Sequence, residues 1–265
     1  MITRRRLRAF TLIELLTVVA ILGLLAALVV PTLRHARSAA HTAREVAAAR
    51  FLMQAYLLVP EDRRGELLPG SKNEPAYDEE GRSLGYFSAR WPHRLAPYLG
   101  GRLRDTLFVN AQASYHDHLR ATRPGDEASY TFSLTPSFGL NLYHVGGLYL
   151  GSGQLDRRYA PITRLDQADA PSRQLVFVSA ANRAIHPDAG YFEARPPTQA
   201  GWPAAYHPAR ADSAQGWVSF RHSGDTAVTA WLDGHVSKEN YAALRDMRLW
   251  SQAARRADDP AWRRP

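Results

Sequence analysis

Apolar and polar positions change their spacing several times along the chain. From Phe10 to Val30 the apolar pattern is almost unbroken: 21 residues with one charge, Glu14, and fourteen of them Leu, Ile, Val or Phe. A helix of that length spans roughly 30 Å, one hydrocarbon core. After Pro31 the apolar positions thin out. Leu33, Ala36, Ala40, Ala43, Ala47, Phe51, Ala55 and Leu58 recur at steps of three and four, which is helical spacing. Arg34, Arg37, His41 and Arg44 line another face, read as solvated. Alanine, the best helix former, dominates the segment until Pro60 stops it. The pattern therefore predicts one long helix, membrane-spanning over 10–30 and amphipathic over 31–59, with Pro31 removing a backbone hydrogen bond and kinking or loosening it.

The remainder, 60–265, reads as a globular head. Residues 60–92 mix Pro, Gly and both charge signs, which is loop composition. WPHRLAPYLGG, 91–101, predicts a short helix ending at its glycines. Strands are predicted at Tyr130–Thr135, Leu140–Val145 and Gln174–Ser179, the last a continuous apolar run suited to a central strand. GWVSF and TAVTAWL, separated by RHSGD, predict a hairpin. A short helix over Glu239–Gln252 and a loose tail, ADDPAWRRP, complete the chain. The fold class expected is α+β: a long N-terminal helix packed on an antiparallel β-sheet head.

Charge changes the picture at the N-terminus. The formal net charge is +8, and Arg4, Arg5, Arg6 and Arg8 supply half of that excess. Such local charge does not make the broad basic stripe of a nucleic-acid binder, so no nucleic acid is expected. Placed before an apolar span, the arginines keep their end in the cytoplasm and send the rest across. Cysteine is absent, which excludes disulfides and thiol chemistry.

Glu14 is the informative exception inside the apolar run. The fourteen large apolar residues contribute roughly −4 to −8 kcal/mol toward insertion, against about +3 kcal/mol for a central carboxylate. Insertion survives the glutamate. Three readings follow: a secretory signal peptide cut near Ala39 or Ala40, a plain single-span anchor whose Glu14 reaches the headgroups, or a segment in which Glu14 has a task.

RAFTLIELLTVVAILGLLAALVVP resembles the prepilin-type leader and helix of type IV pilins and type II secretion pseudopilins. The resemblance implies cleavage by a prepilin peptidase between Ala9 and Phe10, so that 1–9 is a cytoplasmic leader, followed by methylation of the Phe10 amine. Ala9 stands where the family usually has glycine. Glu14 takes the place of the family's glutamate, and Pro31 matches its helix-loosening proline. A new amine at Phe10 is costly in an apolar bundle unless paired. Glu14 of a neighbouring subunit would neutralise it and set the axial register of a filament. The partners implied are the peptidase, other pilin or pseudopilin subunits and inner-membrane lipid.

In the head, RHSGDTAVTAWLDGHVSKE (221–239) concentrates His222, Asp225, Asp233 and His235. His222, Asp233 and His235 are residue types that ligate metals, and a His with an Asp can serve a hydrolase. The structural reading is that Asp233-Gly234 and Ser223-Gly224-Asp225 are turns beside which the histidines sit. The cluster also resembles a histidine, spacer, Asp-Gly-His element of many prepilin-leader proteins, with ten residues between His222 and Asp233. His116 and His118 share a side if extended and, with Asp117, offer a second set of ligand types. Trp91, Trp202, Trp217 and Trp231 suit core packing. No nucleophile elbow, P-loop or Rossmann glycine pattern occurs.

The expectation is a pilin-like structural subunit, a pseudopilin of a type II secretion or type IV pilus-like filament. It would be single-pass in a bacterial inner membrane with a periplasmic head, and would be neither an enzyme nor dependent on a cofactor. The alternative is a membrane-anchored periplasmic enzyme or binding module with a His/Asp site in the head.

Overall fold

The apolar run and the alanine-rich stretch after it form a single helix, α1 (Leu12–Asp62). The computed structural model describes residues 12–75, 77, 83–85, 89–100 and 103–263; Ala9, Phe10 and the arginine block lie outside them. The chain divides into two compact units between His41 and Thr42. In the first, every described side chain is exposed, including Leu12, Ile13, Leu24 and Leu28. The helix assignment continues through Pro31, and the Thr32 hydroxyl donates to the carbonyl of Val29 at 2.7 Å.

In the second unit the rest of α1 packs on a four-stranded antiparallel sheet, making the architecture α+β. Short helices α2 (Trp91–Leu95), α3 (Ala111–Thr122) and α4 (Asp126–Leu134) precede β1 (Phe138–Leu140) and β2 (Leu175–Ser179). Then come α5 (Pro197–Ala200), β3 (Thr226–Trp231), β4 (Val236–Asn240), α6 (Tyr241–Leu244) and α7 (Gln252–Arg256). The strand order is β1-β2-β3-β4. A register shift between Leu175 and Phe177 interrupts the β2–β3 ladder.

Two buried clusters cover the two faces of the sheet. Ala48, Ala49, Leu52, Met53 and Tyr56 of α1 join Phe177, Val228 and Ala230. The Tyr56 ring meets Phe177 edge-on at 5.4 Å. On the other side Val178, Ala227 and Trp231 pack with Trp202, Tyr241, Met247 and Trp250. Burial on both faces is why β2 reads as unbroken apolar sequence.

Several expectations are corrected. The α1 residues buried are Glu45, Ala48, Ala49, Leu52, Met53, Ala55, Tyr56, Val59 and Pro60; of the predicted stripe Ala55 is among them, whereas Phe51 and Leu58 are about half exposed. Alanine occupies every side of this helix, so apolar spacing alone misplaces its inward face. Tyr130–Thr135 belongs mostly to helix α4, whose first turn carries Asp126 and Glu127, favourable at a helix N-terminus. In Leu140–Val145 only Leu140 is strand. Asn141 then turns the chain, its amide donating to the carbonyls of Leu175 (3.0 Å) and Trp250 (2.8 Å). GWVSF forms only an isolated bridge, Ala180 to Val218, and the hairpin partner of β3 is β4.

The predicted helix from Glu239 begins two residues later and is broken into pieces by the caps Asn240, Asp246 and Ser251, each accepting from a backbone N–H. The tail is docked: the Met247 amide donates to Pro260 at 2.9 Å, and Trp262 packs on the second cluster.

Candidate functional site

Where α1 enters the second unit, the alanine-rich sequence puts a carboxylate on its inward face. Glu45 precedes Ala48, Ala49 and Leu52 by three, four and seven residues, the spacing of one helix side. Its side chain is 1% exposed. Arg221, in the chain leading into β3, donates from Nη2 to Glu45 Oε1 at 2.7 Å and from Nε to Oε2 at 2.9 Å. Ser179, the last residue of β2, donates its hydroxyl to Oε1 at 2.5 Å and accepts from the Val228 amide at 2.9 Å. His222 Nε2 stands 3.2 Å from Oε2, without the alignment of a good hydrogen bond. Its Nδ1 lies 3.0 Å from the Thr42 hydroxyl.

Burial alone would raise the pKa of Glu45. The nearby Arg221 charge and the donors around the carboxylate outweigh it, and the pKa falls to about 2. The carboxylate is thus ionised, enclosed and saturated with donors. It clamps α1 to β2 and to the approach to β3, and has no proton to offer. Sequence reasoning missed Glu45, Ser179 and Arg221. The available signal was an acidic residue on the same helix side as Ala48, Ala49 and Leu52.

The structure separates the sequence's metal candidates. His222 precedes β3, while Asp233 and His235 follow it, so six strand residues at about 3.3 Å each lie between them. Asp233 Oδ1 accepts from the His235 amide at 3.1 Å and lies 2.6 Å from its Nδ1, inside a turn where Gly234 takes φ +94°. The His235 ring stacks on Trp231 at 5.4 Å. Among the described residues no group of three or more His, Asp or Glu is placed to hold a metal ion.

His116 and His118 do not share a side, because the segment is helix α3. His116 is buried against Phe108 and Thr135, and burial lowers its pKa to about 4; His118 is exposed. Trp91, Trp202 and Trp231 are buried, as core packing requires.

In the first unit, Glu14 is exposed in the first turn of α1, among Leu12, Ile13, Leu15 and Leu16, each 60–83% exposed. This helix is long and apolar enough to cross a membrane, and none of its most apolar stretch is buried. No curated protein and no solved structure matches the chain. A family model described as the prokaryotic N-terminal methylation motif matches residues 4–30. That motif is the signature of type IV pilins and pseudopilins, and here it leads into an exposed apolar helix long enough to cross a membrane.

Proposed function

We propose that this protein is a pseudopilin-type filament subunit. A prepilin peptidase removes residues 1–9 by cutting between Ala9 and Phe10, and the Phe10 amine is methylated. Residues 10–30 hold the chain in the inner membrane, 31–59 continue the helix, and the head from residue 60 lies in the periplasm. The subunit leaves the membrane by joining other pilin-like subunits through α1. Glu14 then faces the Phe10 amine of a neighbour, removing the cost of an isolated charge in an apolar bundle. Pro31 gives the span local freedom from the helical hydrogen-bond ladder.

One observation carries this reading: the methylation motif at 4–30 runs directly into a helix whose described side chains stay exposed as far as His41. An apolar surface of that extent belongs in lipid or against other subunits. The test is mass spectrometry of the protein from its native membrane, together with Glu14→Ala in the same cells. The expected terminus is methylated Phe10, and the expected variant is membrane-bound, folded and absent from filaments. An intact Met1 terminus, or normal assembly of the variant, overturns the proposal.

A further inference from the structure

His144, Tyr159, Thr198, Gln199, Trp262 and Arg263 line a cavity of ≈ 330 Å³ in the second unit, the size of a small ligand pocket. Its buried, unsatisfied polar atoms are all acceptors. His144 Nδ1 lies 2.8 Å from the carbonyl oxygen of Tyr159, so Nδ1 carries the proton and donates. Burial holds the ring neutral, with its pKa lowered to about 4. Nε2 is therefore a lone-pair acceptor, and it is buried with no partner among the described residues. Gln199 Oε1 is a second buried acceptor in the same condition. The Thr198 hydroxyl donates to Met247 Sδ at 3.3 Å and keeps its lone pairs. Unsatisfied buried acceptors need donors.

The remaining lining narrows the class of donor. The rings of Tyr159 and Trp262 meet the His144 imidazole edge-on at 6.3 and 6.0 Å, making an aromatic wall. Arg263 is exposed at the cavity, and the Arg255 charge acts on His144. That positive field disfavours an ammonium donor. A carboxylate or phosphate would pair with Arg263 but brings no hydrogen to the buried acceptors His144 Nε2 and Gln199 Oε1, which stay unsatisfied. A neutral molecule with several hydroxyl donors and one apolar face remains.

We propose that this cavity binds one neutral pyranose ring of a saccharide, its hydroxyls donating to His144 Nε2 and Gln199 Oε1 and its C–H face lying on Trp262. This adds recognition of sugar to the head, and it stands whether or not the chain assembles into filaments.

The test is saturation-transfer NMR on the full chain in micelles of an amine-oxide detergent, which carries no sugar headgroup. The probes are glucose, galactose and mannose, with glucosamine and glucuronate as charged analogues. Transfer to the ring protons of at least one neutral hexose is expected, and weaker transfer to its charged analogues. Gln199→Leu removes an orphan acceptor without removing volume, so its melting temperature should hold while affinity falls at least tenfold. Trp262→Ala should lose the signal too. If Trp262→Ala melts early, Gln199→Leu alone decides. No transfer to any neutral hexose, stronger transfer to glucuronate or glucosamine, or an affinity unchanged in Gln199→Leu overturns the assignment.

Discussion

Glu45 and Arg221, 176 positions apart, close a two-point ion pair in which both carboxylate oxygens accept from one guanidinium, at 2.7 and 2.9 Å. The pair joins the long helix to the sheet at a point where the apolar contacts of α1 begin. Glu45→Ala should destabilise the second unit by about 3–5 kcal/mol, because Arg221 and the Ser179 hydroxyl lose a shared acceptor. Glu45→Gln should cost less, since an amide oxygen still accepts from Ser179. Guanidinium unfolding of the full chain in micelles, followed by tryptophan fluorescence, measures both.

Acid should weaken the second unit in two stages. Burial is the main cause that lowers His116 and His144 to about 4. A folded-state pKa below the unfolded value means the unfolded chain binds more protons, so this stability is full above about 6.5 and is lost as pH falls. Each histidine should cost about 2 kcal/mol by pH 5. Glu45, lowered to about 2, contributes stability present above about 4.5 and lost as pH falls toward 2. Unfolding midpoints at pH 7, 6, 5 and 4 should therefore fall from pH 6 onward, and His116→Gln should flatten the first stage. A midpoint constant between pH 7 and 5 contradicts this account.

How far the sequence reveals this molecule depends on the range of the forces involved. The apolar helix over Leu12–Val30 is legible because its length and composition are local features, and β2 is legible because both its faces are buried. The turn at Asp233-Gly234 is legible because it is local chemistry. Glu45 is not, because its meaning lies in Arg221 and Ser179, far along the chain. Nor is the inward face of α1: Ala43 and Ala47 are exposed while Ala48 and Ala49 are buried, and nothing in the alanines distinguishes them. The segment Tyr130–Thr135 carries strand-like residues, but the acidic pair Asp126 and Glu127 starts a helix before it. The cavity beside His144 is invisible in sequence, since its walls come from four separate stretches.

Two glycines with positive φ should respond differently to alanine. Gly234 (φ +94°) has only Leu57 near a Cβ, at 3.5 Å, so Gly234→Ala carries backbone strain alone, about 1–2 kcal/mol. Gly216 (φ +64°) lies against the Arg195 carbonyl and the Trp202 indole, and a Cβ there meets both. Gly216→Ala should lose at least twice as much stability and disturb the Trp202 environment, visible in near-ultraviolet circular dichroism. Equal losses would show that the close approach at Gly216 is absent.

The orientation of α1 gives the sharpest contrast, because neighbouring residues should behave oppositely. Leu52 is fully buried against the sheet, while Phe51 is 49% exposed and Leu58, two turns on, is 46% exposed. Leu52→Ala should cost about 2–5 kcal/mol through lost transfer energy and the cavity left behind. Phe51→Ala removes a larger side chain yet should change stability by no more than about 0.5 kcal/mol. Thermal unfolding of the two variants in the full chain decides the matter. If Phe51→Ala unfolds the protein and Leu52→Ala is tolerated, the helix docks by the face its apolar spacing predicts. Glu45 would then point away from Arg221, and the clamp described above would not form.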